Sequence, residues 1–547
     1  MSSGTTLIAT GNAGLAQRLL ESLGRAHPES GYRFMNASAL DSETGAADLG
    51  SCSVYLPSLL DRHGTVPSLY EAGHVFQRLA LHKCKKLILI SSSQIYGTGC
   101  NRQGMVSEDY CPPANRHDGI CDQWKLLESS AATNLGPGAQ LTILRPVTVH
   151  PSSAALSRIL QRKLVLTIPG HDPMLQFLSV RDLAEAVHCA AQCDQAGIFN
   201  VAPDGAVSLH TAIRRAHKMR VPVPRTLQAL WENGEILEYL RYAGTVSNRR
   251  IRKELGFLPR ETSLAALREV NGESRDRDGK DPVFDDLGMD RDYIQFYGRT
   301  LFKFLAKYYW RIEASGLENI PAQGRGILAG THRGFMPFDG VMTLHLLAQQ
   351  TGRFPRFLTH PGLLKFPFLA NFMTKLGGIL ACQESAESVL NADELVAIFP
   401  EGIQGAFTRY REAYKIQSFG RHTFVKMALR NRAPIIPFVV VGSAEIFPIF
   451  GKINSRFWTH YTGWPYIPLT PTFPILPVPL PSKWHIQFLP AIHVEDQYPP
   501  EAARNASLVK AISRDVHSQM QNAFDQLVAR RRSIFAGSIL EGGVRAR

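Results

Sequence analysis

Ile327-Leu-Ala-Gly-Thr-His332-Arg-Gly-Phe-Met-Pro-Phe-Asp339 reads as an apolar strand that runs out into a loop and then into a helix. Pro337 suits the first turn of that helix, because the N–H it lacks would have no intrahelical partner there. Asp339 then falls in the same first turn. A strand handed to a helix through a polar loop is the building unit of an α/β domain.

Working outward, Leu395-Val-Ala-Ile-Phe399 is a second apolar strand, and it leads directly into Pro400-Glu-Gly402. Ala433-Pro-Ile-Ile-Pro437 opens a third that continues to Val441. These runs place an α/β block at residues 313–535, followed by a short tail at 536–547. Within the block, Phe457 to Trp484 is dense in aromatics and prolines, so an extended covering segment without regular helix is expected there. Leu363 to Ala381 is apolar but interrupted by Lys365 and Lys375. It reads as a surface or core helix, since a membrane span needs about 20 apolar residues.

Just before the block, in residues 289–312, Tyr293, Tyr297, Leu301, Leu305 and Tyr308 recur every three or four residues, and Arg299, Lys303 and Lys307 form a separate basic row. That is a basic amphipathic helix. It either packs on its own domain or lies among lipid headgroups at a membrane surface.

Residues 1–268 alternate strand-like and helical runs, as in Thr5–Thr10 before Ala13–Leu23, which predicts a doubly wound parallel sheet. Residues 269–288 are charged and nearly free of apolar side chains, the signature of a linker. In the first half Thr10-Gly-Asn-Ala-Gly14-Leu-Ala-Gln17 follows a strand and opens a helix, the context in which a glycine turn meets a pyrophosphate. Ser91-Ser-Ser-Gln-Ile-Tyr-Gly97, Lys125 with Glu128, Leu144-Arg-Pro146, Phe177-Leu-Ser-Val-Arg-Asp182 and Phe199-Asn-Val-Ala202 follow in turn. In this order they resemble the extended short-chain dehydrogenases of the epimerase/dehydratase type.

That resemblance implies a Rossmann-like fold over roughly residues 1–265, with NAD(P) held by Gly11, Gly14, Ser92 and Lys125. Four positions depart from the family pattern. Cys121 stands where the proton-exchanging tyrosine is expected, Asn12 and Gln17 replace glycines, and Asn36 replaces the acidic ribose partner. Losing the phenol together with part of the phosphate turn implies lost hydride chemistry. The alternative is an active NAD(P)-dependent oxidoreductase or epimerase in the same chain.

The composition adds boundaries. Sixty Lys and Arg against 47 Asp and Glu give a net charge of +13, suited to an anionic membrane surface, an acyl-carrier protein or nucleic acid. No nucleic-acid motif accompanies the charge, so nucleic acid is not expected as a partner. The eight cysteines lie mostly in the first half without a CxxC pair, which predicts reduced thiols and neither a disulfide framework nor a metal site. The start of the chain lacks the pattern of a secretory signal, so a cytoplasmic protein is expected.

His332 and Asp339 carry the chemistry. A carboxylate accepting from one imidazole nitrogen leaves the other as a base toward an alcohol. With Phe399-Pro-Glu-Gly402 and the Pro-Ile-Ile-Pro437 strand in this order, residues 310–500 resemble the glycerolipid acyltransferases of the lysophosphatidate acyltransferase superfamily. The resemblance implies an O-acyltransferase on the cytoplasmic side of a membrane, bound peripherally. Its donor is a fatty acyl thioester, acyl-CoA or acyl-carrier protein, and its acceptor a lipid hydroxyl, with no cofactor required. It implies His332 as base, Asp339 as its partner, and Arg333, Gly334, Phe399, Pro400, Glu401 and Gly402 as substrate-binding residues, Arg333 toward an anionic donor. Six residues separate His332 from Asp339, a longer loop than the family pattern. Gln404 stands where a phosphate-binding arginine is usual, and the arginine expected near Gly377-Gly-Ile-Leu-Ala-Cys-Gln383 is absent. Guanidinium pairs phosphate in two-pronged fashion, so an uncharged lipid alcohol becomes an expected acceptor.

Overall fold

The computed structural model describes residues 5–9, 13–41, 52–57, 69–97, 105–111, 119–136, 138–152, 155–224, 240–242, 244–267, 287–364, 367–420, 422–476, 478–540 and 544–545. Two compact units divide the chain, Met1–Gly288 and Met289–Arg547. The charged stretch expected as a linker lies almost wholly outside the described residues.

The first unit is Rossmann-like. Its strands β1 (Thr5–Ala9), β2 (Arg33–Asn36), β3 (Cys52–Leu56), β4 (Lys86–Ile90), β5 (Gln140–Pro146) and β6 (Gly197–Val201) form one sheet in the order β2-β1-β3-β4-β5-β6. Every neighbouring pair is parallel. Helices α1 (Ala13–Ala26), α2 (Leu69–Leu81), α3 (Gly119–Asn134) and α4 (Val180–Gln192) cover it, α1 packing on α4 and α2 on α3. Because both faces are covered, β3 and β4 are buried at every position, which is why they read as continuous apolar runs. Strand order reverses between β1 and β3, the crevice where ligands bind in such sheets.

The second unit opens with α5 (Arg291–Arg299) and α6 (Leu301–Phe304), followed by a wider turn over Leu305–Tyr309. The single amphipathic helix expected here is broken at Thr300, whose ψ of −97° leaves the helical region. The break mixes the two expected rows. Ile294, Phe302, Leu305 and Trp310 are buried, while Leu301 and Tyr308 join Arg299, Lys303 and Lys307 on the exposed side.

Its sheet consists of β7 (Glu313–Ser315), β8 (Gly326–Gly330), β9 (Arg356–Thr359), β10 (Gly378–Leu380), β11 (Leu395–Ile398), β12 (Ile435–Val441), β13 (His485–Phe488) and β14 (Val544–Arg545), in the order β10-β9-β11-β8-β12-β13-β7-β14. The run from β10 to β12 is parallel, and β13 returns antiparallel to β12. Helices α7 (Phe338–Thr351), α8 (Pro367–Lys375), α9 (Gly402–Ala406), α10 (Thr423–Arg430) and α11 (Ala506–Arg530) accompany it. On α7, burial pushes the His345 imidazole down to about 4, so it packs against Phe302 as a neutral ring, centroids 5.5 Å apart.

Three expectations change. Leu363 to Ala381 is no single helix: Gly377, at φ +98°, ends α8, and the chain turns into edge strand β10. A short helix, Arg456–Thr462, occupies the start of the aromatic and proline-rich segment, since Ser455 caps it at Trp458 N and the prolines begin only at Pro465. The expected tail closes the sheet instead, with β14 pairing with β7 and Ser538 Oγ donating to Glu313. No helix among the described residues is long and apolar enough to cross a membrane.

Candidate active site

Strands β8 and β11 are parallel neighbours, with Ala329 opposite Ile398. Three residues beyond each partner stand His332 and Glu401. The register therefore brings together, at one end of the sheet, two motifs that are far apart in sequence.

His332 Nδ1 lies 2.8 and 3.0 Å from the two carboxylate oxygens of Asp339. The loop between them is long enough to return the carboxylate to the ring despite the six-residue interval. Asp339 is fully buried and also accepts from the backbone N–H groups of Arg333 and Gly340, each at 2.8 Å. Its place in the first turn of α7 sets the negative charge at the positive end of the helix dipole. Accepting from Nδ1 fixes the proton there and leaves Nε2 as the basic nitrogen. The His332 side chain keeps 16% exposure, and its ring centroid lies 5.0 Å from that of Phe399.

Arg333 does not face a donor. It is 1% exposed, and its guanidinium is taken up internally: Nη1 donates to both oxygens of Glu401 at 2.7 Å and to the His332 carbonyl at 2.8 Å, Nε to the Ala413 carbonyl at 2.9 Å, and Nη2 to the Lys415 carbonyl at 2.8 Å. Glu401, expected in the acceptor site, is likewise buried and turned to Arg333. Phe399 and Pro400 are half-buried, Gly334 lies within the loop, and Gly402 is exposed at the start of α9. Gln404, Arg411 and Lys415 are exposed and Arg409 half-buried.

Sequence reasoning missed Phe335. Its ring packs against Phe473 at 4.7 Å, Phe447 at 5.0 Å, Trp464 at 5.7 Å and Phe407 at 6.3 Å. The long loop thus delivers an aromatic side chain to an apolar wall beside the dyad. The only signal was the aromatic density after Phe457. Also missed was Tyr414, where burial, then the Glu445 carboxylate, pushes the phenol far above its usual range, so it stays a donor to Glu445 at 2.6 Å.

In the first unit Gly11 lies outside the described residues, and Gly14 is exposed in the first turn of α1. Ser92 caps the short helix Ser93–Tyr96 by accepting from Gln94 N at 3.2 Å. Lys125 pairs with Asp122 at 3.6 Å on the surface of α3. The Cys121 thiol is buried and donates to the Ile95 carbonyl at 2.7 Å. The same thiol is in hydrogen-bond and electrostatic contact with Lys125, and Asn36 is an exposed neutral residue at the end of β2. Among the described residues, Cys121 and Asn36 depart from the set that hydride transfer on a bound nicotinamide uses.

Comparison with known proteins places an acyltransferase family model on residues 311–441. An uncharacterized protein of Mycobacterium tuberculosis is 35% identical over 274 residues, spanning 49% of this chain and 76% of the relative. One from Mycobacterium leprae is 33% identical over 309 residues, 55% of this chain and 83% of the relative. Phytyl ester synthase 2 of Arabidopsis thaliana chloroplasts is 29% identical over 148 residues, 26% of this chain and 21% of that protein. Among solved structures, MoeE5 with UDP-glucuronic acid and NAD aligns with 48% of this chain and 96% of its own at 16% identity and a TM-score of 0.38. Human epimerase family protein SDR39U1 with NADPH does so over 48% and 98%, at 16% identity and a TM-score of 0.39.

Proposed function

The chain belongs to one family with the mycobacterial proteins and carries an acyltransferase domain, and on that footing we propose that it moves a fatty acyl group from a thioester, on CoA or a carrier protein, to a lipid hydroxyl. His332 Nε2 takes the proton of the acceptor hydroxyl as its oxygen attacks the thioester carbonyl. The carbonyl electron pair moves to oxygen and returns as the C–S bond breaks. The imidazolium then gives its proton to the leaving thiolate, so that ester and free thiol are formed. Asp339 keeps Nδ1 protonated throughout and stabilises the imidazolium. The observation that carries this reading is the buried carboxylate 2.8 Å from Nδ1 of a histidine whose side chain keeps 16% exposure.

An uncharged lipid alcohol is the acceptor this site suits best. Gln404 replaces a phosphate-binding arginine, Arg333 is consumed by Glu401, and the wall around Phe335 is aromatic. The likeness to a phytyl ester synthase supports the same class. Phe399 and Pro400, half-buried, and Gly402, exposed, are the residues of the second motif we assign to the acceptor.

The acceptor's source is a membrane surface on the cytoplasmic side. Phe296, Phe304 and Tyr308 are 62%, 53% and 61% exposed on the strip that carries Arg299, Lys303 and Lys307, and no acidic residue interrupts the chain between Asp292 and Glu313. The first unit is read as a cofactor-type fold that retains no hydride chemistry. The deciding experiment is the lipid profile of cells expressing the wild type or His332→Ala. Transfer is expected to fall roughly a thousandfold with folding intact, and an unchanged profile would remove the mechanism.

A further inference from the structure

We infer that Glu401 and Arg333 are positioning residues for the dyad, through which the C-terminal helix α11 bears on the His332 backbone, and that neither contacts a substrate. The inference rests on the reading of His332 as base.

The peptide units around His332 are gripped from every side. Its N–H donates to Glu401 Oε1 at 3.4 Å, its carbonyl accepts from Arg333 Nη1 at 2.8 Å, and the next N–H donates to Asp339 at 2.8 Å. A β-carbon on Gly405 would lie 2.9 Å from the His332 carbonyl oxygen and 2.7 Å from Glu401 Cβ, so α9 is pressed against the same unit. Glycine alone fits there without a shift of its neighbours. Arg333 and Glu401 therefore fix the main chain from which the imidazole projects, while Asp339 fixes the ring.

The grip is tied to the end of the domain. Besides meeting Arg333, Glu401 accepts from the Gln417 backbone N–H at 2.5 Å, and Arg333 holds the carbonyls of Ala413 and Lys415. This short segment is held in turn from α11, where Gln521 donates to the Tyr414 carbonyl at 3.2 Å and accepts from Ile416 N at 2.7 Å. Tyr414 and Arg531 meet on Glu445, at 2.6 and 2.5 Å. A continuous set of hydrogen bonds thus runs from α11 through the 413–417 segment to His332.

Burial argues against a substrate role. Arg333 and Glu401 are 1% and 4% exposed, and drawing either toward a ligand would leave its partner as an unpaired buried charge, a costly state. A positioning residue changes turnover, whereas an acceptor contact changes KM first.

Glu401→Gln keeps the shape and one accepting oxygen but removes the charge. At saturating acceptor it is expected to lower kcat roughly a hundredfold, the scale of a small misplacement of reacting groups, with KM for acceptor within about twofold. Arg333→Lys, which keeps the charge but not the fork, is expected to retain part of the activity that Arg333→Ala loses. Gln521→Ala decides the matter if Glu401→Gln does not fold: roughly a threefold to tenfold loss in kcat at unchanged KM is expected. A Glu401→Gln enzyme with raised acceptor KM and full kcat would make Glu401 a substrate contact. A lowered melting temperature with kcat and KM both unchanged, in either variant, would reduce the set to a fold element. Both results overturn the inference and leave the base untouched, whereas an active His332→Ala enzyme overturns the base itself and this inference with it.

Discussion

At the scale of single residues the decisive object is a carboxylate with three N–H donors. Asp339 accepts from the His332 ring and from two backbone amides, so its geometry is overdetermined and its replacement by asparagine is sterically mild. Asparagine must turn its amide N–H group toward at least one of those donors or present its single oxygen to the ring without a charge. Either way the imidazolium loses its counter-ion. Asp339→Asn is therefore expected to lower kcat about ten-thousandfold with donor KM little changed, as steady-state kinetics with a soluble thioester will measure. The dyad was legible because strand, loop and helix start are local signals. The pairing of Arg333 with Glu401 was not. Each sits in a motif that reads as polar and accessible, and only the β8–β11 register reveals that they neutralise one another in the interior.

At the scale of elements the helix before the domain shows what a periodicity reading assumes. Counting residues on an unbroken helix assigns Leu301 and Tyr308 to the apolar row, but the break at Thr300 and the wider turn at Leu305–Tyr309 shift the phase, so both end exposed beside the basic residues. The consequence is a mixed aromatic and cationic strip. Its neighbour is the proline-rich segment: Tyr309 Oη donates to the Pro479 carbonyl at 2.7 Å, Trp310 Nε1 to that of Leu480 at 3.2 Å, and Ile475, Leu476 and Val478 are exposed just before them. Trp310 stacks on Trp484 and meets Phe338, the residue before Asp339. A surface held at lipid by this strip would keep the dyad close to it. Reversing Lys303 and Lys307 to glutamate is expected to weaken binding to phosphatidylglycerol-containing vesicles by roughly fivefold for each positive charge removed, with a further loss for the negative charge added. Vesicle flotation checks it, and binding indifferent to both substitutions would move the contact elsewhere.

At the scale of the whole molecule the chain carries two units with separate cores, one gathered around the parallel sheet of the first and one around the mixed sheet of the second. Fold class was readable in both, because buried parallel strands are continuous apolar runs and helices between them keep their own period. Antiparallel β13 and the closure by β14 escaped, since β14 is only two residues long and β13 four. In the first unit the architecture persists while Cys121 and Asn36 replace residues of the family's chemical pattern. Its buried Glu128 holds Arg145 at 2.6 Å and Ser91 at 2.6 Å, contacts that need only the fold. Cys121 is turned to a backbone carbonyl and Asn36 offers no charge to a ribose. Acyl transfer by the full chain is therefore expected to proceed at the same rate with or without NAD(P), and mixtures of the protein, NAD(P) and nucleotide sugars are expected to show no change in nicotinamide absorbance. Steady oxidation or reduction of the nicotinamide, dependent on protein, would show that a route around the missing phenol exists and would make the chain bifunctional.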